Sequence, residues 1–465
     1  MGSPGISKAV GNGQTGGEVR AQTTLRKAIR LRNAVALYAS SVLGSGVLVL
    51  PGLTAKIAGP GSIIAWILLS LASYPFAFTF ASLSARRPES GGVYSFAKEA
   101  FGFRVGTVTG WLFGLWVITG APAVTLIAAS YLGYAFPLGR AETFEIAFLI
   151  ILAGFIINYR GIVLSNKVQL AIVGSIVALL TLTIGSSALL VKPQNFQPFL
   201  PYGVIPVGTA AALIFWSFLG YENTSNVAEE FEHPERDFHR SIMLSVVLIS
   251  VLYIAIAIVT IGTLAYQAGG SVAPFAAILS NVIGGYGAEG TALLAVFIIF
   301  GTVNAYTTGV SRLFYAVARD GGFPRAFAHL NSKSQAPDRV LIALLLSIAT
   351  VLTIFYYFGV DLETALLVPS GAAILVYVIG SAAGVKLLGR GLRGVKRNLI
   401  FPMISFAISI LVLPFIGPLI IVALGIVIAS LTYVTIFNRI PSRHEEIRVE
   451  QKPEDQPRES NTMAS

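Results

Sequence analysis

Two short stretches of this 465-residue chain place glycine and polar residues within apolar sequence. The first is Gly44-Ser45-Gly46, and the second runs from Trp216 to Glu222 and includes Gly220. Hydrocarbon cannot satisfy the backbone N–H and C=O groups that an interrupted helix exposes, so an interruption must be buried in protein or face a watery cavity. Taken alone, Gly44-Ser45-Gly46 is also typical of a small-residue face for close helix packing. Their occurrence as a pair favours a binding site.

The binding-site interpretation specifies the chemistry of the ligand. A helix that restarts near Gly46 would present free N–H groups and the positive end of its dipole, which suit a carboxylate. Carbonyl groups that end the preceding helical segments, near Val42 and from Trp216 to Leu219, would accept hydrogen bonds from an ammonium group. Together they match a zwitterionic α-amino acid, and glycine lets the backbone approach it without an intervening Cβ.

Glu222 is the carboxylate that follows the second glycine position. A charged group within a membrane is costly and is by default a functional candidate, so Glu222 is a candidate for proton coupling. The alternative is a structural role, in which the carboxylate accepts hydrogen bonds from backbone N–H groups at a helix start. The sequence leaves both interpretations open.

The segments that carry these residues lack charge over long distances. Charged residues make up 12% of the chain, against about 25% in an average soluble protein. Runs such as Ala171–Val191 and Ile400–Phe437 contain no charged residue, and a membrane-spanning helix needs about 20 apolar residues. The pattern predicts an all-α membrane protein with twelve transmembrane helices, at residues 33–58, 61–83, 104–135, 142–158, 165–191, 206–230, 238–266, 286–318, 338–358, 362–387, 398–415 and 417–438.

Basic residues fall almost entirely on one side of this arrangement. Of the 32 lysines and arginines, all but Lys56, Arg140 and Lys192 lie on the side of the two tails, in the tails, in loops or in the adjoining helix ends. Cytoplasmic segments carry the excess of such residues. We therefore expect a multi-pass plasma-membrane protein with both termini in the cytoplasm and lipid around its helices. The net charge of +10 is a topology signal and predicts no nucleic-acid partner.

Other classes of function find little support in the residue inventory. Cysteine is absent and the four histidines have no metal-ligand spacing, so we expect no metal site, no cofactor, no catalytic residue and no enzyme activity. A channel would require a polar stripe or a charged ring along a pore, and a channel or receptor is therefore a distant alternative. Tyr131 and Tyr356 are interpreted as aromatic anchors at the membrane interface.

Four segments, in this order, resemble the amino acid–polyamine–organocation superfamily of transporters. The resemblance covers approximately residues 30–440. Its segments are Gly44-Ser45-Gly46 with Leu50-Pro51, the run from Arg87 to Tyr94, Trp216–Glu222 leading to Ala228–Arg236, and Ser311–Pro324.

The resemblance implies a core of two inverted five-helix repeats with discontinuous first and sixth helices, plus two C-terminal helices. The corresponding division is a cytoplasmic N-terminal tail at 1–32, repeats at 33–191 and 206–387, the last two helices at 398–438, and a cytoplasmic tail at 439–465. It also implies secondary active transport of amino acids by alternating access, as a permease or an exchanger, and we favour neutral amino acids. Cationic amino acids or polyamines are the alternative substrates.

The resemblance also carries roles over to individual residues. Gly44, Ser45 and Gly46 would hold the substrate carboxylate, and the carbonyls of Val42, Trp216 and Leu219 would hold its amine. The Trp216 side chain would line the side-chain pocket or act as a gate. Tyr306 on the eighth helix has a position similar to that of a pocket-closing residue in the superfamily and could close the pocket. Thr119 on the third helix would lie nearby.

The coupling ion remains open between a proton and sodium. Some proton-coupled relatives carry a lysine midway along the fifth helix, whereas this chain has Lys167 only near the predicted cytoplasmic end, where a snorkelling role is favoured. Thr302 and Asn304 could supply oxygen ligands for sodium, as in sodium-coupled relatives. Hydrogen bonding between helices is the favoured role for these two side chains.

Overall fold

The computed structural model describes residue 35 and residues 42–86, 92–161, 166–222, 234–267, 269–334, 336–389 and 399–437. Within these ranges the chain is helical and forms no β-strand. The α-helices are α1 Ser45–Ala58, α2 Ser62–Arg86, α3 Gly92–Phe101, α4 Phe103–Ala135, α5 Arg140–Tyr159, α6 Asn166–Ser187, α7 Ile205–Ile214, α8 Pro234–Gly262, α9 Pro274–Ile283, α10 Gly285–Arg319, α11 Asp338–Tyr357, α12 Leu362–Gly389, α13 Ile400–Val412 and α14 Ile420–Phe437.

Nine helical segments in the described part of the chain are long and apolar enough to cross a membrane. Two of them, Ser45–Ser84 with 40 residues and Ile400–Phe437 with 38, have about twice the length that one crossing requires. Each contains a break: Gly59, at φ 60°, separates α1 from α2, and Gly417, at φ 65°, separates α13 from α14. Glycine adopts a positive φ at little steric cost. The chain is a multi-pass α-helical membrane protein.

Most helix bounds agree with the apolar runs, but two helices were missed by the sequence analysis. The structure has α4 at Phe103–Ala135 and α10 at Gly285–Arg319, within about a residue of the predicted bounds. It also has α3 and α9, each of 10 residues, where only loops were expected. A helix of that length is about 15 Å long, too short for a criterion of about 20 apolar residues to detect.

The central packing surrounds the long helix α4, which lies against both α10 and α12. Gly114 on α4 has no Cβ, and the ring of Phe314 on α10 occupies the place where one would project. One turn earlier, a Cβ on Gly110 would lie 3.0 Å from Val317. These glycines let α4 and α10 approach closely, as small residues do between membrane helices.

Both helices that were predicted to be discontinuous are irregular at the glycine positions that lie within the described residues. Helix α1 begins at Ser45, after Gly44 in an extended conformation with φ −136° and ψ −150°. Helix α7 ends at Ile214, a 3₁₀ turn covers Phe215–Phe218, and Gly220 follows with φ 123°. The chain on the far side of each irregularity, at 36–41 and 223–233, lies outside the described residues.

Candidate functional site

The two irregular segments contact each other directly. The indole Nε1 of Trp216 donates a hydrogen bond to Ser45 Oγ at 3.4 Å. A Cβ at Gly46 would lie 2.5 Å from Ser217 Oγ and 2.9 Å from Cδ1 of Trp216. The close-packing interpretation of Gly46 therefore has a specific partner in Ser217, and the start of α1 lies beside the 3₁₀ turn. At Gly44, by contrast, the Val42 carbonyl is the one described group within 4 Å of a Cβ, at 3.9 Å.

The Glu222 side chain accepts a hydrogen bond from one of the backbone N–H groups at the end of the 3₁₀ turn. The Trp216 carbonyl accepts the Leu219 N–H at 3.3 Å, which closes the last turn. The next free donor, the Gly220 N–H, bonds to Glu222 Oε2 at 2.9 Å. The hydroxyl of Tyr377 on α12 donates to the same oxygen at 2.5 Å. The Glu222 carboxylate thus accepts a backbone N–H at the break, and it also joins the break to α12.

A tyrosine that the sequence analysis did not single out joins the two segments. The hydroxyl of Tyr253, on α8, lies 3.3 Å from the carbonyl oxygen of Val42 and 3.3 Å from that of Ser217. Val42 precedes the start of α1, and Ser217 belongs to the 3₁₀ turn. Nothing in the apolar run around Tyr253 marks it in the sequence, because its partners are backbone atoms far away in the chain.

The interpretation of Tyr131 as an interfacial anchor is wrong. Its side chain on α4 is completely buried, and its hydroxyl donates to the Leu48 carbonyl of α1 at 2.5 Å. The hydroxyl of a buried tyrosine usually has a hydrogen-bond partner, and here the Leu48 carbonyl is that partner. Tyr356, near the end of α11, has an edge-on contact with Phe144 at 5.2 Å.

A narrow cavity with about 340 Å³ of empty space, including its mouth, lies between α4, the 3₁₀ turn and α10. The ring of Trp116 lies edge-on to Trp216 at 6.3 Å and to Tyr306 at 5.8 Å. All of the side chains that line it are uncharged, and the glycine adds only backbone. They are Trp116, Val117, Gly120, Ala121, Val124, Trp216, Thr302, Val303, Tyr306 and Thr307.

Three of the candidate residues meet in this cavity, and the other candidates do not line it. Trp216, Tyr306 and Thr302 contribute to the lining. Thr119 does not, and its hydroxyl donates to the Leu115 carbonyl of its own helix at 2.7 Å. Its neighbour Gly120 does line the cavity. A Cβ at Gly120 would lie 2.7 Å from the indole of Trp216.

Thr302 and Asn304 are not brought together. Asn304 is buried against α5, where its side-chain oxygen accepts a hydrogen bond from Asn158 Nδ2 at 2.8 Å. Thr308 donates to Asn158 Oδ1 at 2.5 Å. Thr302 Oγ1 donates to the Ile298 carbonyl at 3.1 Å. Residues two apart project in different directions from a helix, and these two side chains accordingly have different neighbours. No group of three or more His, Asp and Glu residues that could hold a metal occurs among the described residues.

The segment Ser311–Pro324 forms a polar junction with α3. Asp320 Oδ2 accepts hydrogen bonds from the Tyr94 hydroxyl at 2.7 Å and from Lys98 Nζ at 2.6 Å. Burial acts to raise the pKa of Asp320, but these hydrogen bonds and the charges of Lys98 and Arg319 outweigh it, so the pKa lies below its usual value. A charged Asp320 therefore fastens α3 to the end of α10.

Comparisons with known proteins agree with this architecture. The profile of the amino acid permease family matches residues 29–443. The chain is 36% identical over 366 residues to the uncharacterized amino acid permease YecA of Bacillus subtilis (strain 168), with 79% of this chain and 86% of the relative covered. It is 30% identical to the L-methionine/branched-chain amino acid exporter YjeH of Escherichia coli (strain K12), covering 78% and 87% of the two chains. It is 28% identical to the branched-chain amino acid permease BcaP of Bacillus subtilis (strain 168), covering 68% and 72%.

The chain therefore belongs to the amino acid permease family, within the amino acid–polyamine–organocation superfamily. Members of this family are transporters and not enzymes. Amino acid transport in general follows from this membership.

Proposed function

We propose that the protein is a secondary carrier, a permease or an exchanger, for neutral amino acids with apolar side chains. The observation that carries the proposal is the cavity beside Trp216 and Tyr306, which no charged side chain of the described residues lines. The transfer of an apolar side chain from water into such a cavity is favourable. A charged side chain would lose its hydration without gaining a partner there. The substrates named for YjeH and BcaP, methionine and branched-chain amino acids, have side chains of this kind.

In this proposal the backbone of the two irregular segments binds the zwitterionic end of the substrate. The first N–H groups of α1, at Ser45 and Gly46, have no partner within the helix, and they would hold the carboxylate together with the helix dipole. The Val42 and Leu219 carbonyls would accept hydrogen bonds from the ammonium group. Trp216 lies between this region and the cavity, and it would separate the zwitterionic end from the side-chain pocket.

We also propose the twelve-helix arrangement with repeats at 33–191 and 206–387, helices at 398–438, and cytoplasmic tails at 1–32 and 439–465. The break at Gly417 and the break at Gly59 support it, because each divides a double-length apolar segment. The chain has no native cysteine, so single cysteines can report orientation in the plasma membrane. An impermeant maleimide applied outside intact cells should label Tyr202→Cys but not Ser3→Cys. Labelling of Ser3→Cys would contradict the orientation.

A carrier of cationic amino acids or polyamines is the second candidate. It would require a carboxylate in the substrate pocket, and Glu222 is the buried carboxylate nearest to the breaks along the chain. Its Oε2 already accepts from Gly220 and Tyr377, and Glu222 does not line the cavity. These contacts favour the neutral substrate.

The test is uptake of labelled amino acids into liposomes that contain the purified protein. We expect uptake of leucine, isoleucine, valine and methionine, with little uptake of lysine, arginine or putrescine. Preloaded and empty vesicles separate exchange from net transport, and imposed pH or sodium gradients separate the two coupling ions. Uptake of lysine or putrescine in preference to leucine would replace the first candidate by the second.

A further inference from the structure

The hydroxyl of Tyr253 has two carbonyl partners but only one hydrogen to donate. Both distances, to Val42 and to Ser217, are 3.3 Å, whereas an ordinary O–H···O bond is about 2.7–2.8 Å long. The hydrogen is therefore shared between two long contacts. Because the two carbonyls belong to different irregular segments, this hydroxyl is a direct link between them.

Neither carbonyl has the partner that a continuous helix would give it. A 3₁₀ helix would pair the Ser217 carbonyl with the N–H three residues later, but the Gly220 N–H bonds to Glu222 instead. Val42 lies before the extended residue Gly44, and α1 begins only at Ser45. A buried carbonyl without a partner is costly, so the Tyr253 hydroxyl removes a cost from both segments.

The Tyr253 ring is held in place by neighbouring aromatic rings. It lies edge-on to Trp66 of α2 at 5.5 Å and to Phe218 of the 3₁₀ turn at 5.4 Å. The side chain has no exposed surface. The hydroxyl therefore stays near the two carbonyls, and a redistribution of its single hydrogen between them requires no movement of the ring.

We propose that Tyr253 is a positioning residue that shares its hydrogen between the Val42 and Ser217 carbonyls in the empty carrier and yields the Val42 carbonyl to the ammonium group of the substrate. The proposal rests on the proposed function, in which the Val42 carbonyl accepts the substrate amine. When the ammonium group donates to Val42, the hydroxyl donates to Ser217 alone. Both carbonyls thus keep a donor in the empty and in the loaded state, which makes substrate release easier than it would be from an unpaired site.

Removal of the hydroxyl should make substrate binding tighter and release slower. In Tyr253→Phe the empty carrier has two unpaired carbonyls, and an arriving ammonium group pairs with one of them. The cost of an unpaired buried group corresponds to a roughly five- to tenfold lower Kd and KM for the substrate. Because release is slower, Vmax should fall as well.

The experiment measures the concentration dependence of labelled L-leucine transport in liposomes for the wild type, Tyr253→Phe and Tyr131→Phe. Tyr131→Phe is the matched control, because it also removes a buried hydroxyl that donates to a carbonyl beside α1, at Leu48. We expect KM and Vmax to fall together in Tyr253→Phe. In Tyr131→Phe we expect lower thermal stability with an unchanged KM.

Two outcomes of this comparison would contradict the role of Tyr253 alone. A third would contradict the proposed function as well. Wild-type transport with an unchanged or raised KM in a folded Tyr253→Phe contradicts the role of Tyr253 alone. An equal decrease of KM in Tyr131→Phe does so too. Absence of leucine binding and transport in the wild type contradicts the proposed function and this inference with it. If Tyr253→Phe does not fold, 3-fluorotyrosine at position 253, a stronger donor, should raise KM, and an unchanged KM would contradict the inference.

Discussion

Single side chains from distant helices complete the backbone hydrogen bonds at the two irregular segments. Glu222 could be predicted as significant because a carboxylate in apolar sequence is conspicuous, but its partners could not be predicted. Tyr377 follows it by 155 positions in the chain, and only the packed helices bring the two together. Tyr253 gives no signal in the sequence at all, since its acceptors are main-chain atoms that any residue type could provide.

The pairing of Glu222 predicts different outcomes for two substitutions. Glu222→Gln keeps an oxygen that can accept from both the Gly220 N–H and the Tyr377 hydroxyl, so we expect a melting temperature in detergent close to that of the wild type. Glu222→Ala leaves both donors buried without a partner, at a cost of about 1–3 kcal/mol for each. Equal melting temperatures for Glu222→Ala and the wild type would contradict the structural role. Loss of the pH dependence of transport in Glu222→Gln would indicate a proton-coupling role as well.

The contact between Gly120 and Trp216 predicts that a single methyl group narrows the cavity. In Gly120→Ala the new Cβ would lie 2.7 Å from the indole, so Trp216 must shift at an overpacking cost of about 1–3 kcal/mol. The displaced indole takes space from the substrate side chain, and the loss of one to two buried CH₂ groups, at about 0.8 kcal/mol each, should raise KM for leucine roughly four- to fifteenfold. Gly133→Ala on the same helix is the control, because its Cβ would meet only Thr143, at 3.9 Å. The same change of KM in both variants would exclude a specific effect on the cavity.

Helices were easier to predict than the directions in which their side chains point. The long apolar runs with flanking charges define α4 and α10 to within about a residue. Hydropathy identifies the segments that enter a membrane. The faces of these helices are harder to assign, since lipid and protein core both select apolar residues. That is why Thr302 and Asn304 could be paired in the sequence analysis while the structure directs them to different neighbours.

The hydrogen bonds between α5 and α10 predict a role in stability for Asn304. We expect Asn304→Ala to lower the free energy of unfolding by about 0.6–2 kcal/mol, the range measured for polar contacts between membrane helices. Asn158→Ala should have a similar effect, and the double variant should lose less than the sum because the two side chains share a hydrogen bond. A changed dependence of transport on sodium in Asn304→Ala would instead support the ion-site hypothesis.

The junction between α3 and α10 predicts an acid-sensitive contribution to stability. The pKa of Asp320 is lowered in the folded protein, so its contribution is complete above the pKa of a free aspartate, about 3.9. It is lost as the pH falls from there through the lowered pKa. The pair is partly exposed, so we expect Asp320→Asn to cost about 0.5–1 kcal/mol at neutral pH. Unfolding measured at pH 7 and at a series of pH values descending from about 4 should show the difference from the wild type shrink as the pH falls through the lowered pKa, and a difference that stays constant would contradict this assignment.

Across the protein, the apolar segments and the family membership describe an amino acid permease, and the two glycine-containing breaks carry the proposal of a ligand site between helices. The class of protein could be predicted, because it depends on composition and on residues close together in the chain, and the position of the site stays a prediction. The lining of the cavity could not be predicted, since it depends on how α4 and α10 rotate against the 3₁₀ turn. Thr119 and Gly120 are neighbours in the chain, but Gly120 lines the cavity and Thr119 does not.

The most direct test of the site is protection of a single cysteine in the cavity by substrate. The native chain has no cysteine, so Thr302→Cys introduces one reactive group into the lining. Tyr202→Cys, at an exposed loop position, provides the control. We expect L-leucine to slow the reaction of a small maleimide with Thr302→Cys and to leave that of Tyr202→Cys unchanged. Equal reaction rates at Thr302→Cys with and without saturating leucine, in a variant that still transports leucine, would contradict a substrate site in this cavity.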